Sequence, residues 1–225
     1  MAIAVAHFSY TWGYYTLLTQ LPSYMNDILD FDLQKSGFIS AIPYLVLSLL
    51  LFVSGYLADW LQMKNVLSTT QVRKYFNNLS FFSEMIFLLL AAYFTNTTLI
   101  IVCITLSVGL GAFSISGYLA NPLDIAPQFA SIIVGYSNTF ATLPGLISPI
   151  LTGYIVTTPV NFARKKSSNT FQHIFYLQSD AEYKKVFFIA SGVYLIGIFF
   201  YAIFATGKVQ IWAVKSVETS TAQLR

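Results

Sequence analysis

The sequence predicts an all-α membrane protein that crosses the bilayer with six helices. Charged residues make up 9% of the 225-residue chain, whereas a soluble globular domain carries about 25%. Hydrophobic residues make up 56%, and the mean hydropathy is +0.65. Uncharged stretches long enough to cross a bilayer recur along the chain. These observations exclude a soluble enzyme, a nucleic-acid binder and a disordered tail, and they make lipid the main solvent.

Redox, metal and cofactor chemistry are not expected. The single cysteine, Cys103, cannot form an internal disulfide, and the two histidines have no neighbouring cysteine or carboxylate at a zinc-ligand spacing. No nucleophile and base stand in a pattern typical of an enzyme. The sequence therefore predicts a protein without a cofactor and without enzymatic activity.

Gaps between charged residues define the predicted helices, because crossing about 30 Å of hydrocarbon takes about 20 apolar residues. The first charge is Asp27, which ends the first helix, and the stretch between Lys35 and Asp59 gives the second. The six predicted helices cover about 1–26, 37–58, 76–94, 99–119, 131–155 and 186–204.

Polar segments separate the later helices. A basic loop precedes the third helix, a short turn at 96–98 precedes the fourth, and a polar connection at 121–127 precedes the fifth. The sixth helix lies between Lys185 and Lys208. The stretch 157–185 is long enough to form an external loop or a small external domain.

Basic residues do not orient these helices by themselves. When successive loops are assigned to alternate faces of the membrane, Lys and Arg divide equally between the two sides. One side has Lys64, Arg73, Lys74, Lys208, Lys215 and Arg225, and the other has Lys35, Arg164, Lys165, Lys166, Lys184 and Lys185. The orientation must come from another observation.

A polar stripe runs along the first predicted helix. His7, Thr11 and Tyr15 recur every four residues and share one face, with Tyr10 and Tyr14 on its flank. This face is expected to avoid lipid, because an unsatisfied hydroxyl or imidazole in hydrocarbon costs free energy. Two interpretations stay open: the stripe forms hydrogen bonds between helices, or it lines a pathway for a solute.

Prolines mark the fifth predicted helix. Pro144 and Pro149 remove backbone donors, so the helix should bend or break there. Broken helices recur at the gates of transporters, but a kink that serves only packing explains the same residues. Asn138 and Thr139, just before the kink, are candidate polar contacts.

Glu84 is the only charge well inside a predicted helix. It is a candidate proton acceptor or a partner for a buried cation, although no cation is expected within the six helices. Alternatively, the carboxyl is protonated, or the side chain snorkels to the interface. Asp124 lies in the connection before the fifth helix, where its carboxylate is expected to cap the amide groups of that helix.

Several stretches of the chain resemble one family. Residues 55–59 (GYLAD), followed by Lys64, resemble the loop signature of the major facilitator superfamily between its eighth and ninth helices. Residues 67–77 (LSTTQVRKYFN) resemble a loop of its anion:cation symporter family, which contains sialin, the vesicular glutamate transporters and the type I sodium-phosphate cotransporters. The strongest match is NPLDIAP, which leads to SNTFAT at 137–142. The resemblance covers almost the whole chain except 160–178.

The resemblance implies the C-terminal half, helices seven to twelve, of a twelve-helix transporter that works by alternating access. In that family the loop with Asp59 faces the cytosol, which would place both ends of this chain inside and 157–185 outside. Family members move organic or inorganic anions coupled to protons, sodium or the membrane potential. The implied partners are a small anionic solute, the lipid bilayer, and an N-terminal six-helix half missing from this chain or a second subunit. Nucleic acid is not expected.

The same resemblance gives the candidate residues their roles. One wall of a solute pathway is expected from His7, Tyr10, Thr11, Tyr15, Asn138 and Thr139. Gating is expected from Asp59, Arg73, Lys74, Asp124 and Pro144, of which the first three would form a cytosolic latch. Glu84 stands where the family has an apolar residue or proline, so it is not inherited machinery, and a role in H+ or Na+ coupling stays open.

Departures from the family pattern narrow the expectation. Tyr10 stands where the glutamate branch has arginine, which favours a relative like sialin or the phosphate cotransporters. Pro122 stands where many members have histidine. One alternative stays open: a six-helix module that dimerises through the small faces of its fourth and fifth helices, with a structural or regulatory role and no transport. The plasma membrane, the lysosome and vesicles all remain open as the location.

Overall fold

The computed structural model describes residues 1–29, 31–157 and 169–214, and these residues form helices and no β-strand. The helices are α1 (Ala2–Asp27), α2 (Leu33–Met63), α3 (Thr69–Tyr93), α4 (Thr97–Ser114), α5 (Asn121–Ile125), α6 (Ala130–Ala141), α7 (Leu143–Ile155) and α8 (Asn169–Phe204). A π-helical turn at Ile115–Leu119 follows α4, and a 3-10 turn at Pro127–Phe129 precedes α6. The all-α prediction is confirmed for the described residues.

Side-chain caps determine where α2, α3 and α4 begin. The Asp32 carboxylate accepts a hydrogen bond from the Lys35 amide at 2.7 Å. Ser68 and Gln71 form a capping box at the start of α3, and Asn96 accepts from two amides in the first turn of α4. Each cap satisfies amides that have no acceptor within the helix. Because these polar residues stand outside the apolar stretches, α2 and α3 begin earlier than the gaps between charges predict.

The fifth predicted helix is two helices. α6 ends at Ala141 and α7 begins at Leu143, with Pro144 in the first turn of α7. A proline is tolerated in a first turn, because the amide it lacks would have no acceptor within the helix. The break that the prolines predict is therefore present.

The last long helix starts before its predicted position. α8 begins at Asn169, so the prediction of a loop over 157–185 is wrong for the part that α8 contains. Charged residues there interrupt the apolar pattern, yet Lys184 and Asp180 form an ion pair of 2.7 Å at the i,i+4 spacing that suits a helix. The remainder of the predicted loop at 158–168 lies outside the described residues.

Four helical stretches are long and apolar enough to span a membrane: Gln34–Met63, Thr69–Tyr93, Thr97–Ile125 and Gln178–Phe204. Within the described residues, the first and fifth predicted spans do not meet this measure. The first span falls short because polar side chains lower the hydropathy of α1. The fifth falls short because α6 has 12 residues and α7 has 13, so each is too short to cross about 30 Å of hydrocarbon alone. The count of six spans stays a prediction.

α3 packs against α4 and α8, while α1 packs against α6, α7 and α8. Two glycines permit close approaches between these elements. A Cβ atom on Gly117 would lie 2.7 Å from the backbone nitrogen of Asn77, and one on Gly197 would lie 2.8 Å from Ser9 Oγ. The π-helical turn therefore rests directly on α3, and α8 rests directly on α1.

Candidate functional site

His7 connects α1 to α6 through a hydrogen bond. Its Nδ1 atom lies 3.1 Å from the Ser137 hydroxyl, and both side chains are buried. The Ser137 hydroxyl donates to the Val134 carbonyl at 3.0 Å, so the serine oxygen accepts and His7 Nδ1 is the donor. This bond is of the kind that the interhelical interpretation of the polar stripe predicts.

Four tyrosines form a cluster where α1, α2 and the π-helical turn meet. The Tyr10 ring lies 5.9 Å from both the Tyr14 ring and the Tyr118 ring, and Tyr14 meets Tyr44 edge-on at 5.6 Å. Tyr10 and Tyr118 are buried. The Tyr44 hydroxyl is also buried, and it has no hydrogen-bond partner among the described residues. Leaving such a group unpaired costs free energy.

Thr11 and Tyr15 have different surroundings although they share the stripe. The Thr11 hydroxyl is buried and donates to the His7 carbonyl of its own helix at 2.8 Å. Tyr15 is half-buried, and a Cβ atom on Gly145 of α7 would lie 3.2 Å from its ring. The Thr11 hydroxyl is therefore satisfied within α1, whereas the Tyr15 side chain is partly exposed.

Asn138 and Thr139 lie on the exposed side of α6. The Thr139 hydroxyl donates to the Gly135 carbonyl at 3.1 Å, and within the described residues no hydrogen bond joins either side chain to the α1 stripe. The predicted wall thus divides into buried residues on α1, the half-buried Tyr15 and an exposed pair on α6.

Arg73 pairs with Asp124. Its Nε lies 2.6 Å from Asp124 Oδ2, its Nη2 lies 3.1 Å from Oδ1, and its Nη1 donates to the Ser116 carbonyl at 2.8 Å. The predicted cap by Asp124 is wrong, because α6 begins at Ala130 and no side chain caps its first turn. The carboxylate is instead held by a guanidinium that lies far from it in the sequence.

The predicted latch between Asp59 and the two basic residues has a different geometry. Asp59 is exposed, and no ion pair joins it to Arg73 or Lys74 in the part of the chain that the structure describes. The Lys74 ammonium donates to the Ala202 carbonyl on α8 at 2.7 Å. The pairing of Asp59 with Arg73 is therefore wrong in this conformation, and the roles of these residues in gating stay predictions.

Glu84 is buried where α1, α3, α4 and α8 meet, and only 2% of its surface is exposed. Its Oε1 lies 3.0 Å from Ser80 Oγ, and its backbone carbonyl accepts from Ser107 at 2.9 Å. The Tyr194 hydroxyl on α8 faces the same carboxyl. Gly111 leaves room for it, since a Cβ there would lie 3.3 Å from Oε1. The interpretation of Glu84 as a snorkelling side chain is therefore wrong.

Sequence reasoning missed several groups of this site: Tyr44, Tyr118, Ser137 and Tyr194. Their partners lie far away in the chain, as in the pair of His7 and Ser137, so spacing along one helix does not reveal them. The available signal was the number of tyrosines inside apolar stretches. The described residues contain no group of three or more His, Cys, Asp and Glu side chains that could hold a metal ion.

A bundle of apolar helices of membrane length, with polar aromatic side chains and a carboxyl buried between them, defines a multi-pass membrane protein. Sialin from Ovis aries is 41% identical to this chain over 214 residues, and sialin from Homo sapiens is 40% identical over 214 residues. Vesicular glutamate transporter 2 from Bos taurus is 38% identical over 212 residues. These matches cover 95% of this chain for the sialins and 94% for the glutamate transporter. No family model matches the chain.

The chain belongs to the sialin and vesicular glutamate transporter family, the anion:cation symporters of the major facilitator superfamily. The resemblance inferred from the sequence motifs is thereby confirmed. The relatives are transporters rather than enzymes, in agreement with the sequence prediction. The chain spans 39% of the length of each sialin and 33% of the glutamate transporter.

Proposed function

We propose that this chain is the C-terminal six-helix half, helices seven to twelve, of a secondary active transporter that moves small organic or inorganic anions by alternating access. The observation that carries the proposal is the similarity to sialin over 95% of this chain, which corresponds to 39% of that relative. A second six-helix body, either an N-terminal half or another subunit, completes the solute pathway.

The solute-facing groups of this half are neutral hydrogen-bond donors. The half-buried Tyr15 contacts the solute, together with the exposed Asn138 and Thr139. Tyr44, whose hydroxyl has no hydrogen-bond partner among the described residues, contributes a further contact. The buried side chains of α1, His7, Tyr10 and Thr11, support this wall from behind. Because the wall has no positive charge, the counter-charge for an anion comes from the body that completes the pathway.

Movement of this half is proposed at two places. The break between α6 and α7 at Pro144 lets one part of the fifth span tilt relative to the other. The Arg73–Asp124 pair ties α3 to α5 and keeps them together until the bundle moves. Asp59 and Lys74 act in gating on the cytosolic side. We propose further that H+ or Na+ is the coupling ion of transport. Both ends of the chain face the cytosol, and the membrane that contains the protein is vesicular or lysosomal.

The proposed function is tested by supplying the chain with an N-terminal half from a relative. The chain is expressed together with the N-terminal part of sialin from Ovis aries, in cells that deliver both proteins to the plasma membrane. Uptake of radiolabelled glutamate, glucuronate and inorganic phosphate is then measured. Either part alone serves as the negative control, and the two parts of sialin itself, expressed separately, serve as the positive control.

We expect uptake of at least one anion when both parts are present and background uptake with either part alone. Background uptake in the presence of both parts, while the split sialin is active, would contradict the proposal. It would favour the alternative of a membrane module without transport.

A further inference from the structure

The Ser80 hydroxyl lies within hydrogen-bond distance of two oxygen atoms. It is 3.0 Å from Glu84 Oε1 and 2.8 Å from the backbone carbonyl of Leu110 on α4. A hydroxyl has one hydrogen to donate, and a carbonyl can only accept. Both contacts are therefore complete hydrogen bonds when the Ser80 hydrogen points to Leu110 and Glu84 itself donates to Ser80. Glu84 can donate only as a carboxylic acid.

The surroundings of Glu84 favour the same neutral form. The titratable side chains that face it are Tyr10 on α1, Tyr118 in the π-helical turn and Tyr194 on α8. α3 and α4 present serine hydroxyls, and in the described residues no Lys or Arg forms an ion pair with Glu84. Phenols and hydroxyls are neutral at physiological pH, so the described residues supply no positive charge to balance a buried carboxylate.

We infer that Glu84 is a proton-binding site and that Ser80 transmits its state of protonation to α4. The inference rests on the proposed function, which requires a coupling ion. It identifies that ion as the proton and Glu84 as the residue that binds it. In the protonated state, Glu84 donates to Ser80 and Ser80 donates to Leu110. When the proton leaves Oε1 for water, the Ser80 hydrogen turns to the carboxylate, and the bond from α3 to the Leu110 carbonyl is lost.

The position of that carbonyl gives the change a mechanical consequence. Leu110 stands between Gly109 and Gly111, shortly before the π-helical turn at Ile115–Leu119. Glycine weakens a helix, and π-helical segments are places where helices bend. Loss of the bond from Ser80 would therefore free α4 at a point where it bends readily, which couples proton release to movement of the bundle.

Infrared spectroscopy tests the protonation directly and does not depend on transport. The full chain is reconstituted in phosphatidylcholine vesicles and its carbonyl region is recorded across a pH titration. We expect the band of a protonated, buried carboxylic acid at neutral pH, which Glu84→Gln abolishes. Asp32→Asn, which alters an exposed carboxylate, leaves the band unchanged. Carbon-13 labelling of glutamate identifies the band as that of a glutamate in the unsubstituted chain. Glu182 is the other buried glutamate among the described residues, so Glu182→Gln, which should leave the band in place, assigns it to Glu84 even if Glu84→Gln fails to insert.

The role of Ser80 has its own control. Ser80→Ala should shift the band of Glu84, because the carboxylic acid loses its acceptor. Ser83→Ala should leave it in place, since the Ser83 hydroxyl donates to the Ser80 backbone carbonyl and not to Glu84. Absence of a protonated glutamate band at neutral pH would overturn the proton site. A band that Ser80→Ala leaves unmoved would overturn the coupling to α4.

Transport by the completed protein separates this inference from the proposed function. With the N-terminal part of sialin present, we expect Glu84→Gln to keep solute exchange but to lose the stimulation of uptake by a pH gradient. Full stimulation in Glu84→Gln would overturn the coupling role of Glu84. If the unsubstituted pair shows no exchange, the proposed function fails, while the infrared titration still decides whether Glu84 holds a proton.

Discussion

Arg73 and Asp124 form a two-point ion pair that ties the beginning of α3 to α5. Their side chains are 10% and 15% exposed, so water screens the pair only weakly. The third contact of the guanidinium, with the Ser116 carbonyl, adds the π-helical turn to the same junction. One arginine thus holds together three segments that surround the end of α4.

Arg73→Gln is expected to destabilise the protein by about 3 kcal/mol, because it leaves the partly buried Asp124 carboxylate without its partner. Thermal unfolding in detergent measures the loss. The double variant Arg73→Gln/Asp124→Asn should recover part of the stability, since it removes the unpaired charge. Lys64→Gln, at an exposed position, is the control and should change little. A double variant no more stable than Arg73→Gln would show that the pair is not the source of the effect.

Gly117→Ala is expected to lower stability by about 2 kcal/mol, because overpacking a tight contact forces the backbone apart. The new Cβ would lie 2.7 Å from the Asn77 nitrogen, and backbone atoms cannot turn aside as a flexible side chain can. Gly135→Ala on α6 is the matched control, since nothing lies within 4 Å of its added Cβ. Its stability should be unchanged or slightly higher. Equal losses in the two variants would contradict the close packing of the π-helical turn on α3.

Ser137→Ala is expected to cost about 1 kcal/mol, because it removes the buried hydrogen bond from His7 on α1. Ser131→Ala, an exposed position on the same helix, should have no measurable effect. Thermal unfolding of the two variants side by side gives the difference. Identical unfolding curves would mean that His7 does not stabilise the contact between α1 and α6.

Tyr44→Phe distinguishes a solute pathway from a purely structural role of the tyrosine cluster. The Tyr44 hydroxyl has no hydrogen-bond partner in the described part of the chain, so its removal should leave stability unchanged or slightly raise it. In the completed transporter, however, KM for the anion should rise several-fold, because a solute contact is lost. Uptake kinetics measure the change. A loss of stability with unchanged KM would favour the structural role.

The sequence predicts helix positions well where one physical property decides them. Long uncharged stretches identify α2 and α4, and an apolar stretch interrupted only by Glu84 identifies most of α3, since a charge inside hydrocarbon is costly. Pro144 predicts the break between α6 and α7 through its missing amide. The start of α8 was not predicted, because charged residues interrupt an apolar stretch in the same way whether they lie in a helix or in a loop.

The candidate site was less predictable, because its contacts join residues that are distant in the chain. The buried position of Glu84 inside a helix could be inferred, but its contact with Tyr194 and its shared partner Ser80 depend on how α3, α4 and α8 pack. Likewise, the position of Asp124 before α6 indicated a cap, whereas tertiary packing brings Arg73 to it. Asn138 and Thr139 have suitable chemistry for a wall, but only the structure places them on the exposed side of α6.

The central claim is that this chain works as one half of an alternating-access anion transporter. Trans-stimulation tests it most directly: vesicles that contain the chain and the N-terminal part of sialin are loaded with unlabelled anion, and the entry of labelled anion is followed. We predict that internal anion accelerates entry of the label, because the loaded transporter reorients faster than the empty one. Entry that is independent of internal anion, or no entry while the split sialin is active, would contradict the account.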